Sequence, residues 1–233
     1  MSVSEPKPGP GLRERKRDRT KRLIGETARR LFLERGFDQV RVTEIAREAE
    51  VAEKTVFNYF PTKEDLVYWR LEDFEAELVG AIHERAPGQS ALAAFSAFVH
   101  SQRGWLASDD PDVREQAEQT TRMITSSPAL VAREGQVFAD FTQTLAELLA
   151  KETGVAAGSA APWVVANALI GVHRALVAVV RRAILDGTPH ATIVRAYRRE
   201  AKRALGALET GLADYAVKDD GRDRRRPSSP RRE

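Results

Sequence analysis

With 233 residues, 42% apolar and 30% charged, the chain can bury one large core or two smaller ones. It contains no cysteine, which excludes a disulfide framework, a cysteine-ligated zinc site and a thiol nucleophile. The net charge of +3 is unevenly spread: residues 13–22 (RERKRDRTKR) hold seven positive and two negative charges, residues 218–233 hold seven and four, and the body between them is acidic.

Basic blocks of this kind are either solvated tails or segments that meet a polyanion, and both readings stand at this point. The opening stretch MSVSEPKPGPGLRERKRDRTKR lacks the apolar centre of a secretory signal. Together with the missing cysteines, this leads us to expect a cytoplasmic protein. The stretch WVVANALIGVHRALVAVV (163–180) is the one candidate membrane span. Asn167, His173 and Arg174 fall inside it, so we read it as a packed helix and expect no membrane partner.

Helical periodicity runs through the whole chain, and the expected fold class is all-α, with about nine helices. A flexible basic arm is expected over 1–16. The first helix then runs from about Arg17 to Arg35, burying Ile24, Ala28, Leu31 and Phe32, and Gly36 ends it. A short helix over 42–48 buries Ile45 and Ala46. After a turn at Glu50-Val51, another covers 53–59. Pro61 interrupts, and a fourth starts near Lys63 with the stripe Val67, Leu71, Phe74, Leu78 and Ile82.

Five segments follow, over about 90–107, 111–125, 128–151, 161–186 and 190–216. Ser127 caps the third of these, with Pro128 in its first turn. The last carries Val194, Tyr197, Ala201, Leu205, Leu208 and Leu212, a narrow seam suited to packing within the chain or across a dimer. A disordered basic tail is expected over 217–233.

The two short helices, with the first helix behind them, have the proportions of a helix-turn-helix, whose second short helix enters the DNA major groove. Glu53, Lys54, Thr55, Phe57, Asn58 and Tyr59 fall on its outer arc, while Val56 and Phe60 point inward. Such polar side chains suit phosphate oxygens and base edges, and Phe57 suits a thymine methyl or a sugar face.

The string LFLERGFDQVRVTEIAREAEVAEKTVFNYFPTKEDLV (31–67) closely resembles the tetracycline-repressor (TetR) family of bacterial regulators. The matching elements are the F-x-x-x-G-F exit of the first helix, EIA in the second, V-x-x-x-T-V-F-x-Y-F in the third and P-T-K-E-D-L opening the fourth. The resemblance implies a homodimeric repressor that binds a palindromic operator in double-stranded DNA and leaves it when a small molecule enters the C-terminal half. It places Thr43 near DNA, Lys54 and Thr55 at the head of the recognition helix, and Tyr59 and Lys63 on the phosphate backbone.

Two departures from the family stand out. Glu50 occupies the turn position usually held by Gly, at a cost of about 1 kcal/mol. Ala52 replaces a Ser cap, a loss of roughly 0.5–2 kcal/mol. Arg41, where the family often has a capping Thr, gains a phosphate contact in this reading. Residues 23–70 hold eight positive and nine negative charges. Arg17, Arg19 and Arg22 in the basic block are therefore candidates to supply the missing phosphate contacts, along a minor groove.

The expected organisation is thus a helix-turn-helix domain over 17–62 and a helical effector-binding and dimerisation domain over 63–216. The fourth helix is the expected single link between them. Phe95, Phe98, Trp105, Met123, Phe138, Phe141, Trp163 and His173 are candidates to line an apolar ligand pocket, with Asn167 and Arg174 as its polar groups. Each is equally at home in an ordinary core, and His173 reads first as a core histidine. The four histidines share no metal-ligand spacing, and no phosphate loop or nucleophile elbow is present, so neither cofactor, metal nor enzyme activity is expected. The alternative is a DNA-binding protein of the same fold whose C-terminal half only dimerises or binds a protein.

Overall fold

In the computed structural model the described residues are 11–101, 104–156, 158–212 and 217. Among them the chain is all-α. The helices are α1 (Leu12–Arg35), α2 (Val42–Glu48), α3 (Glu53–Tyr59), α4 (Asp65–His83), α5 (Ala91–His100), α6 (Pro111–Ser126), α7 (Pro128–Thr153), α8 (Ala160–Leu185) and α9 (His190–Leu212). Residues 1–10 of the expected arm, the tail at 218–233 and the side chain of Leu212 lie outside the described residues.

Three boundaries differ from expectation for local reasons. Residues 12–16, expected in a flexible arm, instead form the first turn of α1. No Gly or Pro falls between Gly11 and Gly25, the intervening Leu, Arg, Lys and Glu are strong helix formers, and the Gly11 carbonyl accepts the Arg15 N–H at 3.0 Å. The helix expected over 90–107 stops at His100, where the Ser101 hydroxyl donates to the Phe98 carbonyl at 2.7 Å; Trp105 then sits in a short 3-10 turn, Gly104–Ala107. Asp65, one turn after Pro61, starts α4. Its carboxylate accepts the N–H and hydroxyl of Thr62, both at 2.8 Å.

The chain forms two compact units, Met1–Phe74 with Asp109–Val137 and Glu75–Ser108 with Phe138–Glu233. It therefore passes between them within α4, just before α6 and within α7. This corrects the expectation of a single link through α4. The segment 63–216 is divided, since the starts of α4 and α7 and all of α6 belong with the N-terminal helices.

In the first unit the inward faces of α1 (Ile24, Ala28, Leu31, Phe32), α2 (Ile45, Ala46) and α3 (Val56) meet Phe37, Val40, Phe60 and Leu66, all buried. Gly25 is a packing requirement. A Cβ there would lie 2.7 Å from the Trp69 ring, so only glycine lets α1 and α4 approach. Buried Tyr68 on α4 donates to the Leu130 carbonyl at 2.8 Å, Arg133 on α7 pairs with Asp65 at 2.6 Å, and Arg29 on α1 donates to Gln116 on α6 at 2.6 Å. These bonds make α6 and the first turns of α7 part of the platform behind α1–α3.

In the second unit α8 and α9 form a hairpin closed by Gly187 at φ 69°, and α5 packs on both. Its core holds Leu92, Phe95, Phe98, Leu145, Leu169 and Leu176. The buried Arg85 guanidinium pairs with Glu152 at 2.6 Å and donates to the Ile82 and Gln89 carbonyls, joining the C-terminal ends of α4 and α7. By length and composition α8 is apolar enough to cross a membrane, and a third of its most apolar window is buried within the chain.

Candidate nucleic-acid interface

The turn between α2 and α3 is fixed by backbone bonds that end a helix in a left-handed residue. The Val51 N–H reaches the Ala46 carbonyl at 2.9 Å, and the Glu50 N–H reaches that of Arg47 at 3.1 Å. This is the bonding of a Schellman cap, and Glu50 takes its left-handed position at φ 54°. It is the non-glycine residue with positive φ among the described residues, at the position where the sequence departs from the family.

At the start of α2 the Glu44 carboxylate accepts the Arg41 N–H at 2.8 Å, as the returning half of a capping box. That bond, and Arg35 at 3.0 Å, hold the Glu44 carboxyl below its ordinary range. Glu48 is engaged by Arg30 at 3.2 Å. Two carboxylates on α2 are thereby bound to α1, leaving Arg41 and Thr43 exposed at the N-terminal end of α2.

The orientation of α3 follows from Val56 and Phe60, which are 0% and 1% exposed. Burying them turns Glu53, Lys54, Phe57 and Asn58 to solvent, with Thr55 and Tyr59 half-buried at the rim. Phe57 is 42% exposed, although a solvated helix would conventionally place a polar group there. Among the described residues Lys54, Thr55, Asn58 and Tyr59 make no side-chain hydrogen bond or ion pair within the chain. Their donors and acceptors are held in place and unspent.

Lys63 is engaged within the chain. Its ammonium donates to the Phe37 carbonyl at 2.6 Å and lies 4.2 Å from the Phe37 ring centroid, and burial lowers its pKa. It braces the α1–α2 connection. Further exposed cations lie on α1, where Arg17, Arg19 and Arg22 are joined by Arg13, Arg15 and Lys16. These last three fall in the stretch expected as an arm. In a continuous helix they form a basic extension of α1. Lys21 is paired with Glu72 on α4.

The candidate pocket residues do not form one constellation. The rings of Phe138 and Phe141 meet edge-on at 5.9 Å, those of Phe138 and His173 at 5.8 Å, and the Arg174 guanidinium lies 5.6 Å from the Phe138 centroid. Phe95 and Phe98 are buried on α5, while Trp105 stacks edge-on against His190 at 4.7 Å. Its indole N–H is buried without a partner, and its carbonyl is 3.1 Å from the His190 ring nitrogen. Met123 belongs to the other compact unit. Trp163 and Asn167 face outward on α8, because Val165, Leu169, Val172 and Leu176 set the inward face. Burial, and secondarily Arg181, lowers the His173 pKa to about 4, so its ring is neutral at pH 7.

The α9 seam is also redistributed. Tyr197, Ala201 and Leu205 are buried inside the chain, and the Tyr197 hydroxyl donates to the Val99 carbonyl at 3.1 Å. They serve packing within the chain; Val194 and Leu208 are half-buried.

Residues 24–68 match the family of bacterial regulatory proteins of the tetR type, and residues 89–212 match the MftR C-terminal domain. The chain is 28% identical over 149 residues to the transcriptional regulator TcmR of Streptomyces glaucescens, covering 63% of this chain and 66% of TcmR. It is 27% identical over 165 residues to MftR of Mycobacterium tuberculosis, a candidate mycofactocin biosynthesis transcriptional regulator, covering 68% and 78% of the two chains. Among solved structures, Salmonella enterica GusR aligns over 83% of this chain and 95% of its own, at 15% identity and a TM-score of 0.49. A SmeT–triclosan complex aligns over 90% and 100%, at 16% identity and a TM-score of 0.48.

Two stability measurements follow from these geometries. Glu50→Gly should raise stability by about 1 kcal/mol, since glycine takes the left-handed turn without the Cβ penalty. Chemical denaturation reads this directly, and a loss of stability would mean that the Glu50 side chain compensates its backbone. Between pH 6.5 and about 4 the unfolded chain binds a proton that folded His173 refuses, so stability is lost as pH falls through that window. His173→Gln should flatten the melting temperature across this range. An unchanged profile would assign the acid sensitivity to other groups.

Proposed function

This chain is a DNA-binding transcriptional regulator of the tetracycline-repressor family, and from that premise we propose a homodimeric repressor released from a palindromic operator by a small, largely apolar ligand. The observation that carries the DNA-reading part is the outer arc of α3, where Lys54, Thr55, Asn58 and Tyr59 stand fixed and unpartnered. Lys54 and Asn58 have the groups that read base edges, and Tyr59 has a hydroxyl suited to a phosphate. Such a regulator works in the cytoplasm, where DNA is present.

The dimer forms along the outer face of α8. Ala160, Val164, Asn167, Gly171, Ala175 and Ala178 recur every three or four residues and lie on its outward side. Val164 is 62% exposed, and a Cβ at Gly171 would meet nothing within 4 Å. Small side chains allow a second helix to approach closely, and this apolar face is left uncovered within one chain. Gly206 and Gly211 on α9 also leave open space. A two-fold pair then presents two α3 helices to half-sites about 34–36 Å apart, or a multiple of that spacing.

The ligand site centres on Phe138, Phe141 and neutral His173, with Phe95 and Phe98 in the same unit and the Arg174 guanidinium at the edge. A cluster of aromatic rings beside a neutral imidazole favours an apolar ligand, and Arg174 favours one with an acidic or hydrogen-bonding end. To act as a switch, the ligand must bind the DNA-incompetent state more tightly, since equal affinity shifts nothing. Both α4 and α7 continue from this unit to the first turns where Asp65 pairs with Arg133 and Tyr68 reaches Leu130. Those contacts are where ligand-induced movement enters the DNA-binding platform.

Separate experiments address the three parts. Lys54→Ala should relax base preference by about 1–3 kcal/mol at one position, while Tyr59→Phe should weaken binding to all sequences. Normal binding by both would remove α3 from the interface. Gly171→Arg should give a monomer by light scattering, whereas Leu205→Arg should unfold the second unit without yielding a folded monomer. Apolar compounds titrated into the protein–operator complex should release DNA. Saturable binding that leaves operator affinity unchanged would favour a C-terminal half that only dimerises.

A further inference from the structure

We propose that the exposed face of α9 formed by Arg195, Arg198, Arg199, Lys202 and Arg203 is a second, sequence-independent contact for the phosphate backbone of duplex DNA. The spacing places all five cations on an arc of roughly 140°, over a length of about 12 Å. All five are exposed. The arc cannot rotate away, because Ile193, Tyr197, Ala201 and Leu205 on the opposite side are buried.

Acidic residues are scarce along this helix. Between Gly187 and Leu208 the sequence has a single one, Glu200. Its carboxylate is shared by Arg199 at 2.9 Å and Arg203 at 3.2 Å, while Arg195 donates to the neutral Thr192 hydroxyl at 2.9 Å. The pairs 195/199, 199/202 and 199/203 are like charges at helical-neighbour spacing, which repel. An external polyanion relieves that repulsion. The segment that follows, 218–233, carries the same sign of net charge.

The composition of the face selects the partner. From Ala191 to Gly206 its exposed residues are Arg, Lys, Ala, Thr and Gly, with no exposed aromatic or large aliphatic side chain. A membrane-surface helix needs such groups to enter the acyl boundary, and a protein interface needs them as buried anchors. Phosphate oxygens need neither, and arginine, four of the five cations, meets them with a planar fork of donors. Residues 23–70 are close to neutral, so the sequence-independent part of DNA affinity comes from cations outside them, and α9 adds five to those exposed on α1.

The experiment uses the full chain and a 40-base-pair mixed-sequence duplex without the operator, followed by fluorescence anisotropy across a salt series. The triple variant Arg198→Gln/Lys202→Gln/Arg203→Gln should lower the slope of log affinity against log salt by about 0.9 for each phosphate that is no longer neutralised. Affinity at low salt should fall at least tenfold. The charge-keeping variant Arg198→Lys/Arg203→Lys should retain the slope, which separates charge from folding. The control Arg122→Gln/Lys151→Gln, at exposed cations elsewhere, should leave the slope close to that of the parent. Thr55→Ala, on α3, should reduce operator preference without changing the non-operator slope, so failure of the α3 reading would be seen separately. A triple variant with the parental slope, or a control that lowers it equally, would overturn the proposal. So would a triple variant that loses binding to phosphatidylglycerol vesicles while keeping its DNA slope.

Discussion

The burial of Val56 and Phe60, four residues apart on a seven-residue helix and its C-terminal cap, is the constraint on which the N-terminal unit depends. A helix this short has little stability of its own, so its position comes from what it buries. With those two side chains inside, the helix can present only one arc outward. That arc carries Lys54, Asn58 and the rim residues Thr55 and Tyr59. The Schellman turn at Glu50 and the ion pairs from Arg30 and Arg35 to α2 hold the same arrangement from the other side. Recognition chemistry is therefore set by packing beneath the surface, and Lys63 contributes by bonding the Phe37 carbonyl.

The helices were legible because the chain is periodic and well punctuated. Both short helices of the motif have the boundaries read from sequence, and Ser127-Pro128 starts α7 as expected. Local signals were less informative where two states had similar composition. Arg13, Arg15 and Lys16 suit a solvated arm as well as a helix, and the absence of Gly or Pro after Gly11 was the clue to the helix. Likewise, Lys63 offers the same ammonium to a phosphate or to a carbonyl. Its bond here is to the carbonyl of Phe37, 26 residues away in sequence.

Tertiary partners were harder to read than faces. The α9 seam was found by spacing, yet spacing cannot say whether Tyr197, Ala201 and Leu205 meet α5 of the same chain or a second molecule. No residue on the outer face of α8 stood out as a candidate dimer contact, because its alanines and glycine look ordinary beside leucines. The aromatic residues were grouped by composition, and the fold separates them: Phe138, Phe141 and His173 converge, while Trp163 faces outward. Arg85 was not singled out at all. A lone arginine at the end of an amphipathic helix gives no hint that it will be buried against Glu152.

In the proposed mechanism a fixed polar arc on α3 reads DNA sequence through a two-fold assembly. The most direct measurement is repeated selection of random duplexes by the purified full-length protein, followed by sequencing of the retained pool. The expected result is an inverted repeat whose half-site centres lie one helical turn, or a multiple of it, apart. Retention of duplexes without any enriched sequence, or enrichment of a single unrepeated site, would contradict it.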